Sequence, residues 1–168
     1  MLDGLPRHAR FLIGISYLWP FVWSWGFWAH ELMSPVWIGP RHTNFYDGSI
    51  CAFEFADETW IFGQPLVKLM DLYTVWALRH LHLEVVGTWP GQQVAHYAIE
   101  RLSEQRDTEL CGCGGMQTYG ECCKSNDESK IEVADAVQFA WFPRTPPLSV
   151  YSVVIDGAEP PELKELCT

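Results

Sequence analysis

Four of the six cysteines crowd into one short stretch, Cys111-Gly-Cys113-Gly-Gly-Met-Gln-Thr-Tyr-Gly-Glu-Cys122-Cys123. Thiols at the spacing C-x-C-x8-C-C can wrap that loop around a metal, cross-link it, or supply a nucleophile in place of Cys51. Neighbouring cysteines such as Cys122 and Cys123 are poor disulfide partners, and a lone crowded group among scattered thiols suggests a reducing compartment. Four thiolates can instead close a tetrahedral zinc shell, and Gly112, Gly114 and Gly115 let the backbone turn tightly around it. Such a closed shell leaves no open coordination position, so its role is structural or docking rather than catalytic. Cys51 and Cys167 stand apart from the group.

The 168 residues suit one domain and a small appendage. Apolar residues make up 48% and charged ones 19%, a globular balance, and nine Trp imply a rigid aromatic core. The net charge of −10, with only 11 scattered basic residues, argues against direct nucleic-acid binding. The acidity gathers in Glu100 to Glu109, Glu121 to Glu132 and Asp156 to Glu165, read here as solvated faces.

From Phe11 to Ala29 no residue is charged, a length that could span a bilayer. Pro20 interrupts the run, and Trp19, Trp23 and Trp25 sit mid-span, where interfacial Trp is out of place. The alternation of Phe11, Ile13, Ile15, Tyr17 and Trp19 fits a strand from Phe11 to Trp19, with a second from Phe21 to Trp28. Val36 to Ile38 makes a third, giving an antiparallel meander. Pro65 sits at an expected first helical position, and Leu66, Leu69, Met70, Tyr73, Trp76 and Leu83 form a helical stripe to about Leu83. Trp89-Pro90-Gly91 breaks the chain before a second helix from about Gln92 to Glu104. Ile131 to Phe142 and Leu148 to Ile155 read as strands, and Pro160-Pro161 opens a loose tail. His80, His82 and His96 read as surface or satisfied core histidines.

His42-Thr43-Asn44 is followed by Gly48-Ser49-Ile50-Cys51 and then Trp60. This pattern resembles ubiquitin-conjugating enzymes, which carry His-Pro-Asn, a loop ending in Gly-x-Ile-Cys, and a downstream Trp. The resemblance implies an α+β fold: an antiparallel meander followed by helices, here with the small zinc knuckle added. It implies that Cys51 is the nucleophile and that Asn44 stabilises the oxyanion or holds the loop. His42 would be mainly structural, with Trp60 packed under the loop. Thr43 replaces the family's Pro, losing a fixed φ and adding a hydroxyl. Fewer residues precede His42 than the family carries, so its first helix is expected to be missing or reduced.

The same loop with Trp89-Pro90-Gly91 resembles the conjugating-enzyme-like proteins of CBASS antiphage operons. That resemblance implies a cytoplasmic enzyme that takes the C-terminus of a cGAS-like nucleotidyltransferase as a thioester on Cys51 and passes it to an amine. The cysteine stretch resembles the SEC-C motif, a zinc knuckle of bacterial proteins, with Gly114, Gly115 and Tyr119 keeping much of its pattern. It implies zinc on Cys111, Cys113, Cys122 and Cys123. The expected organisation is a conjugating-enzyme-like domain over residues 1–106, the knuckle over 107–126 and an extension over 127–168. The alternatives are a binding module in which Cys51 is chemically idle and, more remotely, a membrane-anchored protein.

Overall fold

The computed structural model describes residues 9–18, 20–29, 34–53, 58–93, 97–142 and 144–158. Three strands, β1 (Arg10–Leu18), β2 (Phe21–Ala29) and β3 (Val36–Trp37), form an antiparallel sheet in the order β1-β2-β3. Phe11 faces Trp28 and Leu18 faces Phe21 in register, so the uncharged run is a hairpin turning at Pro20. Among the described residues no helix is long and apolar enough to cross a membrane. Trp19, Cys167, His96 and the Pro160-Pro161 tail lie outside the described residues.

Helix α1 (Leu66–Val86) packs on β2 through Tyr73 and Trp76. Pro65 is the capping residue just ahead of it, not the first helical position, and the helix runs past Leu83 to Val86. Gly87, at φ 79°, ends it by donating its N–H to the Leu83 carbonyl at 2.9 Å. The sheet and α1 bury Ile38, Ile50, Trp60, Leu69, Tyr73, Trp76 and Ala77 in one core. Gly26 on β2 makes this approach possible: a Cβ there would lie 2.6 Å from the Trp76 ring. Tyr73 adds a buried hydrogen bond from its hydroxyl to Ser24 Oγ at 2.8 Å. Burial pushes the Tyr73 phenol up to about 12, so it stays neutral.

Four shorter helices follow: α2 (Ala98–Glu104), α3 (Lys124–Glu128), α4 (Val133–Trp141) and α5 (Leu148–Ile155). The sequence places the start of α2 too early, at Gln92; residues 92 and 93 are not helical, and the helix begins after Tyr97. The stretches expected as strands after residue 130 are helices. Glu132 and Asp135 form a reciprocal capping box that starts α4. In α5 the β-branched residues favour a strand locally, but tertiary contacts override them. Val150 and Val154, one helical turn apart, pack over Gly14 of β1, and Tyr151 meets Phe27 edge-on at 5.8 Å. The observed class is therefore α+β: a three-stranded meander followed by helices, with a cysteine cluster between α2 and α3.

Candidate functional site

The segment from Arg41 to Cys51 is a tight loop between β3 and α1, closed on itself by backbone bonds. Asn44 N–H donates to Ser49 C=O at 2.6 Å, Gly48 N–H to Asn44 C=O at 3.0 Å, and Cys51 N–H to His42 C=O at 3.0 Å. Thr43 pairs with Ile50 as an isolated antiparallel bridge. Gly48 takes φ 65° at the turn that Asp47-Gly48 predicts. The Asp47 carboxylate accepts Ser49 N–H at 3.0 Å. The loop also joins the sheet, since Ile50 N–H donates to Ser24 C=O at 2.6 Å.

Each expected site residue has a definite place here. Asn44 is exposed, and its side-chain amide donates to Ser49 Oγ at 2.9 Å and to the Ile50 carbonyl at 3.5 Å. It therefore spans the loop immediately ahead of Cys51. His42 takes φ 51°, stacks its ring on Trp89 at 4.2 Å, and offers its carbonyl to both Cys51 N–H and the Trp76 indole, the latter at 2.8 Å. Thr43, standing where the resembled family has Pro, donates its hydroxyl to the Pro40 carbonyl at 2.5 Å, a local tie in place of a ring. Trp60 is fully buried in the cluster that contains Ile50, beneath the loop.

Cys51 is half-buried in the wall of a cleft of about 410 Å³. His42, Asn44 and Asp47 line one side, Gln93, Glu100, Arg101, Glu104 and Gln105 another, and Asp135 and Gln138 of α4 a third. Phe45 at the rim packs on Phe139 and Phe142, and Arg144 lies 4.2 Å over the Phe139 ring. Arg144 is ion-paired with Glu104. Burial outweighs that pairing and pushes the Glu104 carboxyl up to about 7.

The acidic stretch from Glu100 to Glu109 is not the solvated face that its composition suggests. Glu100 and Glu109 are buried, and Glu104 is half-buried in the cleft wall. Asp127, in the second acidic stretch, is wholly buried. It accepts Arg101 Nε–H at 2.7 Å and the Tyr119 hydroxyl at 2.9 Å. Arg101 beside it holds this carboxyl below its usual range. No pattern in the sequence marks these acids. Their one sequence signal is Arg41, a cation directly beside the loop motif.

The histidines differ. His80 is buried between Trp76 and Trp89, and burial depresses it to about 3, so it is neutral. Its ring hydrogen-bonds to the Arg41 backbone. The His82 ring sits 2.8 Å from the Thr88 carbonyl.

The four clustered cysteines converge. Their sulfurs all lie within 4.8 Å of one another, with Cys113–Cys122 at 3.6 Å and Cys122–Cys123 at 3.7 Å. A tetrahedral zinc with bonds near 2.3 Å sets its sulfurs about 3.8 Å apart, whereas a disulfide needs about 2.05 Å. The observed spacing is compatible with a metal, and the four thiols are not cross-linked. The Gly115 N–H, 3.4 Å from Cys113 Sγ, helps lower that thiol to about 7. Crowding against Cys111 pushes Cys123 up to about 12. Thiols so close resist joint ionisation unless a cation sits among them, so this group could hold a metal ion.

The fold and site together define an α+β chain with a thiol-bearing cleft beside a four-cysteine cluster. No protein-family model, curated protein or solved structure matches the chain.

Proposed function

We propose that the chain is a ubiquitin-conjugating-like acyltransferase. The Cys51 thiolate attacks the carbonyl of an activated protein C-terminus, an acyl adenylate or a thioester on another protein, and expels AMP or that protein's thiolate. An amine then attacks the Cys51 thioester carbonyl, forming an amide, releasing the Cys51 thiolate and losing its proton to solvent. The observation that carries this reading is the loop itself. It places a half-buried cysteine in a cleft large enough for an extended peptide end, with an Asn side chain bridging the loop just before it. A half-buried thiol lining a cleft is consistent with the partly exposed setting that a reactive cysteine needs. In this reading Asn44 holds the loop, and the acyl oxygen meets donors from it.

The resemblance of the loop to CBASS conjugating-enzyme-like proteins names the donor: the C-terminus of a cGAS-like nucleotidyltransferase in the bacterial cytoplasm, during antiphage defence. Zinc on Cys111, Cys113, Cys122 and Cys123 completes the reading, and the sulfur spacing supports it.

The test is intact mass spectrometry, without reductant, of the chain co-expressed with such a nucleotidyltransferase. An adduct of both chains that hydroxylamine removes and that Cys51→Ala lacks is the expected result. Cys51→Ser should instead accumulate an oxyester that thiol reductants leave intact. A stable complex with no adduct would overturn the enzyme reading in favour of a binding module.

A further inference from the structure

We propose that the cysteine knuckle is the rear support of the Cys51 cleft, and that Arg41 is the positioning residue through which it holds the loop. Arg41 immediately precedes His42. Its guanidinium donates to Glu109 Oε1 at 2.6 Å, to Glu109 Oε2 at 3.2 Å, and to the Glu104 carbonyl. Arg41 is 5% exposed and Glu109 2%. A buried cation and anion in this geometry depend on each other, because removing one leaves the other charged and unsolvated.

Glu109 is fixed in turn by the knuckle. Its carbonyl accepts the Tyr119 N–H at 2.9 Å, Leu110 bridges Thr118, and Cys111 N–H donates to the Gln117 carbonyl at 2.9 Å. Cys111 ends the first arm of this small hairpin, Cys113 lies in its connecting loop, and Cys122 and Cys123 follow its second arm. Gathering the four sulfurs therefore fixes where the Glu109 carboxylate points.

Two further ties run from the knuckle to the cleft wall. Gly112, between Cys111 and Cys113, accepts the Gln93 N–H at 2.7 Å and donates its own N–H to Gln105 Oε1 at 3.2 Å. Gln93 and Gln105 both line the cleft. A Cβ at position 112 would come within 2.9 Å of Gln93 Cβ, so the approach needs glycine. Beyond the cysteines, Asp127 holds Arg101, another cleft residue. A knuckle that acted only as a self-contained staple would not bury its charges against the loop.

The metal arm of this proposal rests on the zinc reading above; the Arg41 arm does not, and neither needs an acyl donor. The test is hydrogen exchange on the full-length, zinc-loaded chain, together with the alkylation rate of Cys51 read by peptide mass spectrometry. In Glu109→Gln with zinc retained, the amides of Asn44, Gly48 and Cys51 should exchange faster by about tenfold, and Cys51 alkylation should change in step. The β1–β2 amides should hold. The charge swap R41E/E109R should recover part of the protection, which a general loss of stability would not do.

Removing zinc with a chelator should reproduce the Glu109→Gln pattern. Unchanged exchange at these amides and unchanged Cys51 alkylation in Glu109→Gln would overturn the proposal. If Glu109→Gln does not fold, the apolar pair R41M/E109L replaces it with the same readouts. Loop protection equal to the parent in that pair would likewise overturn the role of Arg41.

Discussion

The Trp76 indole donates to the His42 carbonyl at 2.8 Å, the same carbonyl that receives the Cys51 N–H. One helix side chain thus fixes the residue that closes the loop, and Trp76 can reach it because Gly26 leaves room beneath. Gly26→Ala should destabilise the chain by about 1–3 kcal/mol, since a Cβ at 2.6 Å forces the ring to move. Gly14→Ala is the control: its Cβ would meet Val154 at an ordinary 3.5 Å. Urea unfolding of the two variants should separate them clearly, and a Gly26→Ala midpoint equal to that of Gly14→Ala would contradict this packing.

Trp60 is wholly buried, yet its indole N–H has no hydrogen-bond partner among the described residues. Trp60→Phe keeps most of the ring and removes the orphaned donor, so its cost should stay near 1 kcal/mol. Trp60→Ala opens a cavity under the Cys51 loop and should cost about 3–5 kcal/mol. Thermal melts of both proteins check the ratio.

His80 supplies a pH dependence with a definite sign. Its ordinary pKa of 6.5 falls to about 3 in the folded chain, through burial first and then the charge of His42, against the opposing hydrogen bond to the Arg41 backbone. The folded state thus binds fewer protons than the unfolded one between these values. The stability tied to neutral His80 is present above pH 6.5 and is lost as pH falls, by about 1.4 kcal/mol per unit. Unfolding curves from pH 8 to pH 5 should show His80→Phe losing about 2 kcal/mol less than the parent. Parallel curves would mean that His80 is not the acid-sensitive group.

If the zinc reading holds, removing any one thiol of Cys111, Cys113, Cys122 or Cys123 should strip zinc from the chain, whereas Cys51→Ser should keep it. Metal analysis after gel filtration reads this directly. One zinc per chain is expected in the parent, and retention of full occupancy in Cys122→Ser would show that the four sulfurs do not share one ion.

Asn44→Ala removes the amide that reaches Ser49 and Ile50. If the thioester reading holds, conjugate formation should fall by about 100-fold, while the melting temperature moves little because Asn44 is exposed. A variant with unimpaired transfer would remove Asn44 from the site.

Much of the architecture was legible because it is local. The alternation of Phe11 to Tyr17, the Asp47-Gly48 turn, the stripe of Leu69, Tyr73 and Trp76, and the cysteine spacing each carry their own signal. The misread parts depend on distant partners. The valines of α5 become helical over Gly14, and Glu109 is buried because Arg41 meets it from 68 residues away. An acidic run looks the same in sequence whether water or an arginine surrounds it. For the same reason the cysteine group and the Cys51 loop could each be read from the sequence, but the bonds between them could not.

That 68-residue separation also sets an order of events as the chain is made. The thiol of Cys51 leaves the ribosome with its loop sequence complete, but the partner of Arg41 is not yet synthesised. Until Glu109 has emerged, a nascent chain carries the Cys51 thiol in a loop whose Arg41 lacks its carboxylate partner. A chain cut short before Glu109 retains the thiol and most residues that line the cleft, but neither the carboxylate that pairs with Arg41 nor the α4 residues Asp135 and Gln138.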